Sequence, residues 1–121
     1  MSNKVQYIEE NGEPVYAVLD IKDYERLLAA AEDAADLAAV RAARANPNDL
    51  VPGEIAERLI AGENPVKVWR GYKGMTQADL AEAAGLDQAD VSRIERGKRE
   101  PGGRTLRALA NALDVTVDDL V

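Results

Sequence analysis

The chain has 121 residues, of which 46% are hydrophobic, and a formal net charge of −7 at pH 7, enough for one small core and an appendage. It contains no cysteine and no histidine, which excludes disulfides, thiol nucleophiles, imidazole bases and ordinary zinc sites, so we expect no metal and no cofactor. The N-terminus has no signal pattern and no apolar run approaches the roughly 20 residues of a membrane span, which predicts a cytoplasmic protein without a membrane partner.

Residues 1–46 are predicted to form a β-hairpin followed by a long helix. Asn11-Gly12 is a strong tight-turn pair, and the residues on either side alternate as in half-buried strands. The helix is predicted from about Ile21 to Ala45. Its apolar stripe is formed by Tyr24, Leu27, Leu28, Ala31, Ala35 and Leu37 or Ala38. A hairpin and one helix cannot close a core alone, so they need a second copy, a partner or the other half of the chain.

The remaining chain is predicted to be a helical domain behind a linker. Residues 47–63 form the linker, with one short helix from about Pro52 to Ala61. Five short helices follow, at about Pro65 to Lys73, Thr76 to Ala84, Gln88 to Gly97, Arg104 to Ala112 and Val117 to Leu120. The predicted fold is therefore mainly α, with domains at 1–46, 47–63 and 64–121.

The second and third of these helices form a distinctive pair. Thr76 and Asp79 have the spacing of a capping box, Gly85 permits the left-handed turn between the helices, and Asp87 is predicted to cap the next helix. Core positions are Leu80, Ala81, Ala84, Val91 and Ile94. The outward positions are Gln88, Ala89, Ser92, Arg93 and Arg96, at the spacing of a face laid into a DNA major groove.

Charge is distributed unevenly along the chain. Residues 1–60 carry six basic and twelve acidic residues, whereas Arg93 to Arg107 holds six basic residues against two acidic ones. Such a split suggests two partners of opposite charge, although a charge run can also be a solvated face.

The back half resembles the XRE, or Cro/C1-type, helix-turn-helix regulators. The resemblance covers about residues 65–120 and includes "WRGYKGMTQADLAEAAGLDQADVSRIERGKR" and "TLRALANALDVTVDDL". It implies DNA binding through Thr76, Gln77, Gln88, Ala89, Ser92, Arg93, Arg96, Lys98, Arg99 and Arg104. Gln88, Ala89 and Arg93 would face bases, with Gln88 and Arg93 as the readers, since Gln suits adenine and Arg suits guanine. Gln77, Ser92, Arg96, Lys98, Arg99 and Arg104 would hold phosphates. The resemblance also implies a structural ion pair between Arg70 and Glu95.

The front half resembles a different family. "VQYIEENGEPVYAVLDIKDYERLL" is similar to the hairpin and helix of the Phd/YefM antitoxins. Joined to an XRE domain, this segment resembles HigA-type antitoxins, whose RelE/ParE-like toxins are small basic proteins. The resemblance implies a homodimer that binds a palindromic operator, represses its own operon and neutralises a toxin. Candidate toxin contacts are Tyr7, Tyr16, Tyr24, Leu27 and Leu28.

Two alternatives remain open for the sequence. The chain could be a stand-alone XRE repressor whose front half serves dimerisation or senses a small molecule. The helix-turn-helix could also be retained only for packing. An enzyme is not predicted, because no carboxylate pairs with a base, a metal ligand or a phosphate loop. Asp87 and Asp90 add negative charge near the predicted DNA face, where a carboxylate repels phosphate unless it caps a helix or contacts a cytosine amine.

Overall fold

The computed structural model describes residues 5–45 and 53–121. Within these ranges the elements are strands β1 (Gln6–Glu10) and β2 (Glu13–Val18), helices α1 (Ile21–Ala45), α2 (Gly53–Ile60), α3 (Pro65–Tyr72), α4 (Gln77–Ala84), α5 (Gln88–Glu95) and α6 (Gly103–Leu113), and a 3₁₀ helix (Val117–Leu120). The predicted mainly α class, with an N-terminal hairpin and a long helix, is confirmed. Pro52, the predicted start of the linker helix, lies outside the described residues, and the division into three domains stays a prediction.

The hairpin forms where the turn residues predict it. Asn11 and Gly12 both have positive φ, 53° and 82°, as the tight turns that join antiparallel strands require. The strand register shifts between Ile8 and Glu9, opposite Pro14, which cannot donate a backbone hydrogen bond. The predicted half-burial is wrong, because every residue of both strands is exposed.

The side of α1 that packs against the chain is not the predicted apolar stripe. Tyr24 and Leu27 are 48% and 63% exposed, so the expectation that they face a core is wrong. The packed side is a line of residues spaced by three to four along the helix, Glu25, Ala29, Glu32, Asp33, Asp36 and Val40, and it lies against α4 and α5. Of these, only Ala29 and Val40 are buried hydrophobic residues. The physical reason is that the helices behind α1 already close their own apolar core and leave a polar face for it.

That apolar core is formed by the four helices α3, α4, α5 and α6 and by the 3₁₀ helix. Its buried members are Val66, Leu80, Ala81, Val91, Ile94, Leu109, Ala110, Leu113 and Leu120. The inward positions predicted for α4 and α5 are thus confirmed. Trp69 packs against this core, and its indole N–H donates to the Asp119 carbonyl at 3.2 Å.

Helix caps set the angle between α4 and α5. Thr76 and Asp79 form the predicted capping box, with both hydrogen bonds at 3.0 Å. Gly85 has φ 70°, the left-handed conformation that ends α4 and turns the chain. Asp87 occupies the position before α5, but its side chain makes no capping hydrogen bond, so its predicted capping role is wrong.

Candidate nucleic-acid interface

A buried ion pair fixes the recognition helix α5 to α3. Arg70, which is 2% exposed, donates to the two carboxylate oxygens of Glu95 at 2.7 and 2.9 Å. It also donates to the Met75 carbonyl at 2.8 Å and pairs with Asp36 of α1 at 2.9 Å. Burial lowers the pKa of Arg70, but the hydrogen bonds and charges of Glu95 and Asp36 outweigh this effect, and the net pKa is raised. The pair expected from the sequence therefore has a third, unexpected member.

The first turn of α4 is covered by carboxylates from α1. Gln77 is fully buried, and its side-chain amide donates to Glu32 at 2.6 Å and to Glu95 at 3.2 Å. The backbone N–H of Gln77 donates to Asp36 at 3.1 Å, and that of Ala78 donates to Asp33 at 3.0 Å. Free N–H groups at a helix N-terminus attract anions, so these carboxylates occupy positions suited to phosphate oxygens.

The outward face of α5 is also covered, which corrects the expectation that it lies open. Ser92 is fully buried, and its hydroxyl donates to Glu32 at 2.8 Å. The Gln88 side-chain amide donates to the Ala29 carbonyl at 2.7 Å. The predicted base-reading Gln88 is therefore engaged by the backbone of α1.

Arg93, the second predicted base reader, lies in a cluster of charges. It pairs with Glu25 of α1 and, at 2.7 Å, with Asp90 of its own helix. The hydrogen bond between the two side chains lowers the pKa of Glu25 and raises the pKa of Arg93. Arg96 lies within 3.6 Å of Glu32 and 4.0 Å of Glu25. The structure thus places Arg93 of α5, and Arg96 directly after the end of α5, against acids of α1.

The other predicted DNA contacts are more accessible. Lys98 and Arg104 are exposed, and Ala89 is half-buried beside a groove between α1 and α5. Arg99 pairs with Asp90 at 2.7 Å while its side chain stays 44% exposed. Asp90 therefore lies between two arginines, which offsets the charge that would otherwise repel phosphate.

Thr76 is buried, and its side chain caps α4.

Most of the predicted toxin contacts are exposed to solvent. Tyr7 and Tyr16 are 63% and 64% exposed on the hairpin, and Tyr24 and Leu27 are exposed on the outer side of α1. Leu28 is half-buried.

Four acids contact the outward side of α5 and the first turn of α4, which together are called the recognition face. These acids were not predicted from the sequence. Glu25, Glu32, Asp33 and Asp36 recur at helical spacing on one side of α1, and this periodicity is the signal that could have identified them. Their partners include groups of Gln77, Ser92, Arg93 and Arg96, which are predicted to hold DNA, together with the Ala78 N–H and Arg70. The face can thus bind oxyanions, and carboxylates from the same chain supply them.

Other kinds of site find no support in the described ranges. Among residues 5–45 and 53–121, no group of three or more acidic, histidine or cysteine side chains is arranged to hold a metal ion. No helix in the described part of the chain is long and apolar enough to cross a membrane.

Comparisons with known proteins place the back half in a family. Residues 67–120 match the family model described as Helix-turn-helix (HTH_3). The uncharacterised HTH-type transcriptional regulator y4dJ of Sinorhizobium fredii is 39% identical over 64 residues, which are 53% of this chain and 82% of that protein. The regulator YazB of Bacillus subtilis is 33% identical over 55 residues, covering 46% of this chain and 80% of that protein.

A similar protein is also found among the solved structures. The restriction-modification controller protein C.AhdI from Aeromonas hydrophila is 34% identical, covers 49% of this chain and 89% of its own, and has a TM-score of 0.47. From the family match and the two regulators, the chain belongs to the XRE-type helix-turn-helix transcriptional regulators.

Proposed function

We propose that this protein is a dimeric repressor that reads a palindromic DNA operator through α5 and the first turn of α4. The observation that carries this proposal is that one face gathers the α4 N-terminal amides, the side chains of Gln77 and Ser92 and two arginines, all of which already bind carboxylates. DNA phosphates are the polyanionic partner that such a face suits. A dimer would place two α5 helices about one DNA turn, roughly 34 Å, apart.

Within this proposal the residues of the face have different roles. Gln88 and Arg93 contact base edges, with adenine and guanine as the preferred partners, and Ala89 lies beside them against a thymine methyl or a sugar. Phosphate contacts come from the remaining polar and basic residues: Gln77, Ser92, Arg96, Lys98, Arg99 and Arg104. Thr76 contributes by holding the α4 cap, because its side chain is used there.

Selection from a random duplex library tests these roles. The full chain should enrich a palindrome. Arg93→Ala should relax the preference at one position of each half-site and weaken binding by about 1–3 kcal/mol. Arg104→Ala should weaken binding to all sequences equally and reduce the salt dependence.

Lys67→Ala is the control for this selection, since Lys67 is exposed on α3 and is not among the proposed contacts. Enrichment of the same palindrome at the same affinity by Arg93→Ala would refute the base-reading role.

The finer proposal is that the repressor is the antitoxin of a type II toxin-antitoxin pair, with a RelE/ParE-like toxin as its partner. The exposed Tyr7 and Tyr16 of the hairpin, with Tyr24 and Leu27 of α1, support a protein-binding surface on the front half. Co-expression with the neighbouring open reading frame should yield a stoichiometric complex with a small basic protein. Tyr7→Ser/Tyr16→Ser should abolish copurification while operator binding persists.

A stand-alone XRE repressor is the second candidate, and one observation favours it. The acids of α1, which would suit a basic toxin, are instead paired with Arg70, Arg93 and Arg96 of the same chain. If no protein copurifies and the chain still binds its own promoter, the stand-alone reading is correct.

A further inference from the structure

We propose that α1 is an internal competitor of DNA: its acidic side holds the recognition face closed, and the protein binds DNA only when α1 leaves that face. This inference rests on the proposed DNA-binding function and adds its regulation. The helix is covalently part of the chain, so its local concentration at the face is high without any partner.

First, α1 and DNA would use the same donor groups. The amides of Gln77 and Ala78 and the side chains of Ser92 and Arg93 donate to carboxylates of α1. The Gln88 amide is likewise occupied by a carbonyl of α1. A donor directed at α1 cannot donate to a phosphate or a base edge. The bulk of α1 also lies where the groove of a duplex would have to approach α5.

Second, the acids of α1 follow the order of the cations that they contact. Glu25, Glu32 and Asp36 place negative charge along about 16 Å of helix, at a rise of about 1.5 Å per residue. They face Arg93, Arg96 and Arg70 in the same order. A DNA backbone also presents a row of oxyanions to the cations of a protein. The carboxylates of α1 therefore neutralise the cations of this face by the same chemistry.

Third, this closure is reversible. Among the described side chains of α1, only Ala29 and Val40 are buried hydrophobic residues, so little apolar area has to be exposed when α1 leaves. The side chains of Glu25, Glu32 and Arg93 are 16%, 26% and 30% exposed, and partly exposed ion pairs are individually weak and screened by salt. The apolar core of α3 to α6 and the 3₁₀ helix, by contrast, includes no residue of α1 among the described residues.

Two designed forms of the full chain test the inference. The opened form is Glu25→Gln/Glu32→Gln/Asp33→Asn. Its matched control, Glu10→Gln/Glu57→Gln/Asp118→Asn, removes the same charge from exposed positions outside α1, α4 and α5. The locked form is Ala39→Cys/Gly71→Cys, in which both residues line one small cavity between α1 and α3.

The chemistry of the lock is simple because the natural chain has no cysteine. A short bis-maleimide joins the two introduced thiols, and the same variant capped twice with N-ethylmaleimide is the unlinked control. Gly71 has open space where a Cβ would be added. The probe for every form is a fluorescent duplex of random sequence at low salt, and the dissociation constant is measured by anisotropy.

The expected result is that the opened form binds on the order of tenfold more tightly than its charge-matched control, because the fraction of competent molecules rises. The locked form should bind at least about tenfold more weakly than its unlinked control. Equal binding by the linked and unlinked forms would overturn the inference and leave the proposed function intact. Absence of binding by every form, including the opened one, would overturn the proposed function and the inference with it.

Discussion

The two sides of the recognition helix α5 are held by different forces. Val91 and Ile94 on one side are buried in an apolar core, whereas Ser92 and Arg93 on the other side contact carboxylates of α1. Burial of apolar area is insensitive to salt, while ion pairs with partial solvent exposure are screened by it. One side of α5 is therefore part of an apolar core, while the other side makes a polar contact with α1.

Arg70 is the residue that belongs to both sides. It pairs with Glu95 within the helix-turn-helix and with Asp36 on α1. Loss of Arg70 is therefore expected to affect both the helix-turn-helix core and the contact with α1. Variants that change only the core or only the contact separate these two effects.

Arg70→Ala should cause the largest loss of stability. The substitution leaves Glu95, which is 8% exposed, as a buried carboxylate without its partner, and such losses cost about 3–5 kcal/mol. Urea unfolding followed by the fluorescence of Trp69, the single tryptophan, measures the change. Arg107→Ala is the control, because Arg107 is exposed, and it should change stability by no more than about 0.5 kcal/mol. Equal losses in the two variants would contradict the structural role of the ion pair.

Leu109→Ala should destabilise only the core. Leu109 is fully buried, and truncating such a leucine costs about 2–5 kcal/mol through lost transfer energy and the cavity left behind. The loss should be the same at low and high salt, because no charge is involved. Val121→Ala, at a position that is 78% exposed, is the matched control. A loss that changes strongly with salt would show that core and contact are not separable.

The sequence predicted the apolar side of α5 well, but it predicted the side that contacts α1 poorly. Hydrophobic periodicity, helix caps and turn residues are local signals. They predicted α1 and the turn at Gly85, and they placed the bounds of the other helices within one or two residues. The face that α1 covers depends on which polar groups the rest of the fold leaves unsatisfied, and this is a long-range property. The apolar stripe through Tyr24 and Leu27 was therefore a misleading guide, because aliphatic residues of α3 to α6 already filled the core.

The roles of individual site residues show the same limit. The family motif located Gln88 and Arg93 on α5, since their positions follow from local spacing. Burial of Ser92 and Gln77 could not be predicted from that motif, because the covering helix lies more than forty residues earlier in the chain. Local chemistry thus indicated what the face can bind, but not that it is occupied.

Asp33→Ala should have a local and smaller effect on the contact side. It removes the acceptor of the Ala78 amide, and a hydrogen bond of this kind contributes about 0.5–1.5 kcal/mol, so amide exchange at Ala78 should accelerate by a few-fold to about tenfold. The Leu80 amide, bonded to the Thr76 carbonyl at 3.0 Å, is the internal control. Hydrogen-exchange NMR measures both amides. Acceleration at Ala78 alone indicates a local loss, whereas equal acceleration at Gln77 indicates that α1 departs as a unit.

Lowering the pH should weaken the contact between α1 and α5 by protonating Glu25. This is the smallest of the expected effects. The hydrogen bond from Arg93 lowers the pKa of Glu25 below its ordinary value of 4.5, aided by the charges of Arg93 and Arg96 and opposed by partial burial and by the charge of Asp90. Since the lowered pKa belongs to the docked state, the contribution of Glu25 to docking is fully present above pH 4.5 and is lost as the pH falls through that lowered pKa. An NMR titration of the Glu25 carboxyl measures the midpoint, and the α5 amides of Glu25→Gln should lack the corresponding transition. A midpoint at or above 4.5 would show that Arg93 does not hold the carboxylate in solution.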